Sequence, residues 1–434
     1  VPAVLARSYL SLLDCTLDWC VTCCVCYYVN TMPRRHVAAG ALGFVLVVAS
    51  SACSLLPSTP TDQPADTSPS AVTSAAPSSG ISGASESSAP PAEPPQTCAR
   101  VEGMAPREMA GRMLAVGVTT YESAEQAVDE GVRHLFIGSQ TDQSILNGQG
   151  DPARSLAALE KRAGEPLTVS VDEEGGLVQR LSEIVGELPS AKEMAETMSP
   201  EQVRDLMAEH GKKIRDLGIT VDFAPVVDLA GGQNVSDNAI GSRSFSADPQ
   251  VVADYARAYS EGLQQAGVTP VLKHFPGHGH ATGDSHLGAV TTPPLEQMQA
   301  NDLLPFRELV DVEGMAVMVG HVEVPGLGEP LPSSVNPAAY KLLREGGYGP
   351  RHDAPGFDGV IYTDDLTGMK AVTDRYPGPE AAVAALEAGA DVALAAAGAV
   401  EIPDVVEAIR VAIDDGRIPE ERVRDSVNRT CVPE

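Results

Sequence analysis

The sequence predicts a single (β/α)8 TIM barrel, and three observations carry that reading. From Cys98 onward, short apolar runs alternate with stretches of helical periodicity, as parallel βαβ units require. There are eight such runs: Met113–Val118, His134–Ile137, Leu167–Val171, Ile219–Ala224, Thr269–Lys273, Ala316–Gly320, Gly359–Thr363 and Asp391–Ala395. Polar residues cluster directly after several of them, where a barrel builds its active site. A doubly wound sheet would also alternate, but it more often carries a Gly-rich phosphate loop after an early strand. Neither GxGxxG nor a P-loop occurs here.

The intervening helices announce their ends. Ser199-Pro200-Glu201-Gln202 is a capping box with Pro at the first helical position. Val203, Leu206, Met207, Ile214 and Leu217 recur at helical spacing until Gly218 closes the helix. Asp248-Pro249 opens another helix that ends by Gly267, and Pro379-Glu380 opens one that ends near Gly389.

The chain of 434 residues is 43% hydrophobic, enough for one large core, and its formal charge of -29 argues against nucleic acid or an anionic membrane surface as a partner. Residues 32–53 combine a basic start, the apolar run Val37–Val48 and small residues before Cys53, the pattern of a secretory signal too short to span a bilayer. Met32 then reads as the translational start, with residues 1–31 and their five cysteines a spurious extension. Cys53 resembles the lipidated residue of a bacterial lipobox, although Ser50 stands where Leu is usual. Residues 54–97, nearly all Ser, Pro, Ala, Thr and Gly, cannot bury enough apolar surface to order themselves and read as a tether to a catalytic domain over 98–434. Cys98 and Cys431 bracket that domain, and in an exported, oxidising setting they are expected to form a disulfide.

Chemistry gathers in four places. Asp172-Glu173-Glu174-Gly175-Gly176 follows the third run, and Lys273-His274-Phe275-Pro276-Gly277-His278-Gly279 ends the fifth and leads to Asp284-Ser285-His286. The sixth run ends at His321 and the seventh at Asp364-Asp365. A carboxylate at a strand end can attack an anomeric carbon, and an imidazole oriented by a carboxylate has the pKa range of a general acid/base. Asp364 and the Asp284–His286 dyad fit those two roles. Helix capping by Asp364-Asp365 and zinc ligation by the His-rich loop are the competing readings.

The run KHFPGHGHATGDSH (273–286) resembles the signature of bacterial β-N-acetylglucosaminidases of glycoside hydrolase family 3, and so do DEEGGLVQRL (172–181), DFAPVVDL (222–229), IGSRSF (240–245) and YTDDLTGM (362–369). The likeness covers roughly residues 105–420 and is nearest to the actinobacterial lipoprotein members. It implies Asp364 as nucleophile, His286 supported by Asp284 as acid/base, and Asp172, Lys273, His274 and Arg243 on the sugar hydroxyls, with Arg180 and His321 nearby. Multidomain relatives take a Glu acid/base from a second domain, for which too little chain follows the eighth run. Glu173 stands where Gln is usual, Asp222 for Asn and His280 for Asp, and Gly368 looks inserted.

The resulting expectation is a secreted, lipid-tethered, monomeric enzyme that removes terminal GlcNAc from peptidoglycan fragments without metal or organic cofactor. A family 3 enzyme for another β-glycoside, a metal-dependent barrel hydrolase and a non-catalytic glycan-binding lipoprotein are the alternatives.

Overall fold

The computed structural model describes residues 103–231, 240–283, 285, 288–396, 398 and 400–430. The expected signal segment, tether, Cys53, Cys98, Cys431, Asp284 and His286 lie outside the described residues.

Eight parallel strands form one sheet: β1 (Leu114–Val118), β2 (His134–Ile137), β3 (Thr168–Val171), β4 (Val221–Asp222), β5 (Thr269–Phe275), β6 (Ala316–Val319), β7 (Ile361–Thr363) and β8 (Ala393–Ala395). They run in the order β7-β6-β5-β4-β3-β2-β1-β8, so β7 and β8 occupy the two edges. The edges meet: Tyr362 bridges Val392 in parallel, Thr363 N donates to Val392 O at 3.1 Å, and Leu394 N donates to Thr363 Oγ1 at 2.9 Å. The sheet is thus a nearly closed barrel, compatible with a TIM-like fold.

Each expected run coincides with a strand, but β5 continues two residues past its run to Phe275, and β4 is shorter than its run. The fourth run spans Ile219–Ala224, yet β4 holds only two residues. Pro225 has no N–H to give the ladder, and pairing with β5 resumes beyond it through Val226 and Lys273.

Side-chain alternation divides the core in two. Ala115, Phe136, Val221, Phe223, Val271 and Met318 are among the residues that fill the barrel interior. There Phe223 lies between Phe136, with ring centroids 5.6 Å apart, and Tyr362, 5.4 Å away edge-on. The opposite faces of the strands pack against helices in a larger outer cluster. Two of those helices, α1 (Pro200–Asp216) and α2 (Pro249–Gln265), cross tightly, and Gly262 permits the approach. A Cβ there would lie 2.4 Å from the Arg204 carbonyl. The Ser199 capping box forms as expected: Gln202 N donates to Ser199 Oγ, and Ser199 N donates to Gln202 Oε1.

At the amino-terminal end of β8, Asp391 fastens the closure. Its fully buried carboxylate accepts from Ile361 N (2.8 Å), Ser426 Oγ (3.0 Å) and Arg344 (2.5 Å), and pairs with Arg422 at 3.1 Å. Among the described residues no helix is long and apolar enough to cross a membrane.

Phe223 is completely buried in the interior stack, so Phe223→Ala should cost about 3–5 kcal/mol. Urea unfolding monitored by circular dichroism measures it, and a loss below about 1 kcal/mol would show that the stack does not hold the barrel interior.

Candidate active site

The site is assembled from the carboxyl ends of β3, β5 and β7. After β3 the chain turns into an antiparallel ribbon, Glu173–Gly175 against Val178–Gln179. The Glu173 carboxylate, wholly buried, organises it by accepting from Arg180 N (2.9 Å), Leu181 N (3.0 Å) and Gln179 Nε2 (2.9 Å), with His210 Nε2 at 3.2 Å. Gly175 turns the ribbon with φ of 91°, and a Cβ there would sit 2.3 Å from the Pro189 carbonyl. The ribbon brings Asp172, Glu174 and Arg180 to the barrel mouth together. Beneath it, Asp222 Oδ1 accepts the Glu173 N–H at 3.0 Å. Burial, then the Glu173 charge, pushes the Asp222 carboxyl well above the usual range.

Lys273, at the end of β5, lies 2.8 Å from Asp172 and 2.6 Å from Glu174. Arg243 holds Glu174 from the other side by a bidentate pair of 2.8 Å bonds, and Arg180 stands 3.7 Å from Asp172. Burial disfavours the Lys273 ammonium, but Asp172 and Glu174 outweigh it and hold its pKa above the ordinary lysine value. Burial likewise opposes ionisation of Glu174, and the Lys273 and Arg243 charges reverse the balance, leaving its carboxyl far below the usual range.

His274 is fixed by Asp228: Nδ1 donates to Oδ2 at 2.6 Å. The other Asp228 oxygen accepts the backbone N–H of His274 (3.2 Å) and of His278 (2.6 Å). Burial would raise the Asp228 carboxyl, yet His274 draws it below the usual range.

The two acids after β7 separate in role. Asp365 accepts from Thr367 N, Thr367 Oγ1, Gly368 N and Ala396 N at 2.7–3.0 Å, which fixes the turn after β7 without capping a helix, since the next helix begins at Lys370 with Met369 at its N-cap. Among the described residues the Asp364 carboxylate accepts only the Asp365 N–H, at 2.8 Å, and it faces the cavity. Burial opposes its charge, but His321, His274, the Asp365 N–H and Lys273 bring its pKa down to about 2. It is a carboxylate throughout the neutral range.

His321 is placed differently from the other candidates. Its Nε2 donates to the Asp365 carbonyl at 2.8 Å, so Nδ1 accepts from Ser334 Oγ at 2.7 Å. Burial lowers its pKa and suits this neutral tautomer. With both nitrogens engaged, it supports the turn that carries Asp364 and lines neither lobe of the cavity.

The cavity has two lobes that share Asp172, Arg180, Asp364 and Met369. The smaller, about 170 Å³, is walled by Glu174, Arg243, Lys273, His274, His278 and Ser285. The larger, about 300 Å³, is floored by the interior residues Phe136, Phe223, Met318 and Leu394. Asp172, Arg180, Arg243, Lys273, His274 and Asp364 therefore converge as expected from the sequence. Asp228, Glu173 and Glu174 were not singled out as site residues, although each stood inside a quoted motif. An acid in the apolar stretch DFAPVVDL was the available signal for Asp228.

Residues 107–432 match the glycosyl hydrolase family 3 N terminal domain. The chain is 46% identical over 362 residues to "Beta-hexosaminidase LpqI" of Mycobacterium tuberculosis, covering 82% of this chain and 90% of that one. Its fold is similar to the crystal structure of a glycosyl hydrolase family 3 member from Mycobacterium smegmatis, with a TM-score of 0.71 and 46% identity over 76% of this chain and 97% of that one. It is also similar to a family 3 β-N-acetylglucosaminidase from a Paenibacillus strain, with a TM-score of 0.66 and 30% identity over 75% of this chain and 61% of the other.

Glu174→Gln leaves Lys273 and Arg243 facing each other with one carboxylate fewer. It should destabilise the protein by about 3 kcal/mol at pH 7. Because the folded-state pKa of Glu174 is depressed, its contribution is complete above the unfolded value and fades as pH falls below about 4.5. Denaturant midpoints of the two proteins should therefore converge on acidification. A gap that stays constant down to pH 3 would contradict the assignment.

Proposed function

The chain belongs to glycosyl hydrolase family 3 and is a glycosidase acting on O-glycosyl bonds, and on that footing we propose that it is a retaining exo-β-N-acetylglucosaminidase. Its substrate would be the terminal, non-reducing GlcNAc of peptidoglycan fragments or similar glycans, released in cell-wall turnover and recycling. The observation that carries this reading is the ionised Asp364 carboxylate facing a lobe walled by Lys273, Arg243 and His274. The relatives named a β-hexosaminidase and a β-N-acetylglucosaminidase support the choice of sugar.

In this mechanism Asp172, Lys273, His274, Arg243 and Arg180 hold the sugar hydroxyls by charge-assisted hydrogen bonds. Asp364 attacks the anomeric carbon as the aglycone oxygen leaves with a proton from His286, which Asp284 orients. His286 then takes a proton from water, and the resulting hydroxide attacks the anomeric carbon and frees Asp364. No metal or organic cofactor enters. The nearly closed barrel is read as a complete single (β/α)8 domain. A lipid on Cys53 and the 54–97 tether would hold the monomeric enzyme at the outer face of the membrane, and a Cys98–Cys431 disulfide would join the ends of the domain.

For the metal-dependent alternative, among the described residues no group of three or more His, Cys, Asp or Glu is arranged to hold a metal ion.

The deciding assay compares an aryl N-acetyl-β-glucosaminide with the matching β-glucoside, each with and without EDTA. Selective, chelator-resistant cleavage of the N-acetyl substrate is expected. Preference for the glucoside would change the substrate, and loss with EDTA would move the loop to metal chemistry. Two variants test the roles. Asp364→Ala should reduce turnover below detection while sugar binding persists, and near-normal activity would remove it as nucleophile. His286→Ala should slow substrates with poor leaving groups by about 100-fold or more and activated aryl glycosides far less. Equal losses on both would count against an acid.

A further inference from the structure

We propose that His278 binds a hydroxyl of the terminal sugar through its imidazole and is a specificity-determining residue of the pocket. This rests on the reading of the smaller lobe as the sugar site.

His278 lines that lobe together with Lys273, His274 and Asp364, and it is 5% exposed. Its main chain is held firmly. The backbone N–H donates to Asp228 Oδ1 at 2.6 Å. On one side is Gly277, with φ of 126°, where a Cβ would lie 2.6 Å from the Asp302 Cβ. On the other is Gly279, where a Cβ would lie 2.1 Å from the Leu229 carbonyl. The segment therefore packs against its neighbours on both sides of the histidine, and the ring is delivered from a fixed backbone.

The ring itself is unfinished. His278 Nδ1 is buried without a hydrogen-bond partner. Around it every comparable imidazole has one: His274 on Asp228, His280 on Asp302, and His321 on both Ser334 and Asp365. A buried ring nitrogen left unpaired is costly, and its persistence at a cavity wall points to a partner that arrives with the ligand.

The chemistry selects a hydroxyl. Burial lowers the His278 pKa, against the pull of Asp228, so the imidazole is uncharged at neutral pH. An uncharged imidazole carries one donor and one acceptor, as a hydroxyl does. The cations Lys273 and Arg243 are already committed to Asp172 and Glu174. A neutral group beside them adds hydrogen bonding to the lobe without adding charge.

The test is a double-mutant cycle between enzyme and substrate. Wild type, His278→Phe and His278→Gln are assayed on an aryl N-acetyl-β-glucosaminide and on its 3-, 4- and 6-deoxy analogues. Wild type should lose about tenfold or more in kcat/KM on one analogue. His278→Phe should lose a similar factor on the parent and almost nothing further on that analogue, while His278→Gln recovers part of the loss. The inference fails if the Phe and Gln variants match wild type on the parent, or if their losses are the same factor on all four substrates, as a packing role would give. Should His278→Phe not fold, the cycle is completed with His278→Gln alone. Absence of wild-type turnover on the parent would overturn the choice of sugar instead, and the cycle would then be run on the deoxy series of the glycoside that is cleaved.

Discussion

The buried ion network of Asp172, Glu174, Arg243 and Lys273 is what the rest of the site depends on. It ties the end of β3 to the end of β5 and to the turn at Gly241–Arg243 through four bonds of 2.6–2.8 Å. Removing such charges from water costs several kcal/mol per ion, and only mutual pairing repays it. Here two carboxylates meet two cations, with Arg180 nearby, so Glu174, Lys273 and Arg243 keep their charges although Glu174 and Lys273 are almost fully buried. That arrangement keeps a sugar-sized cavity polar and prepaid: the dipoles are aligned before any ligand enters.

The two ends of the barrel are stabilised by different means. At the carboxyl ends of the strands lies the ion network, open to a cavity. At the opposite end Asp391 gathers Arg344, Arg422 and Ser426 with the Ile361 N–H, sealing the junction of β7 and β8. Between them the Phe136–Phe223–Tyr362 stack fills the interior and floors the larger lobe.

Much of this was legible from the amino acids because it is local. Strand runs, helix caps and acids directly after strands are patterns within ten residues. The fourth run extends past β4 because its apolar character continues through Phe223 and Ala224, while Pro225 interrupts the regular ladder. What escaped depends on distant partners. Asp228 becomes the anchor of His274 only when a residue 46 positions away folds onto it. Glu173 and Glu174 are adjacent and alike in sequence, yet one points inward to four hydrogen-bond donors and the other to two cations. His321 stood at a strand end like the substrate ligands, but Ser334 and the Asp365 carbonyl take both its nitrogens. No one-dimensional pattern distinguishes these outcomes.

The β3 ribbon has a further consequence. Asp172, Glu174 and Arg180 are carried on one short loop whose shape is set mainly from within, by the Glu173 carboxylate and the turn at Gly175 and Gly176. Such a loop behaves as a cassette. Altered sugar preference at this wall would be reached more readily by exchanging residues 172–181 as a block, with Asp222 and His210 beneath, than by single replacements, since each contact residue inherits its position from the same buried hub. Exchange of modular segments between related barrels, rather than stepwise substitution, is the natural route by which this wall of the pocket could diversify.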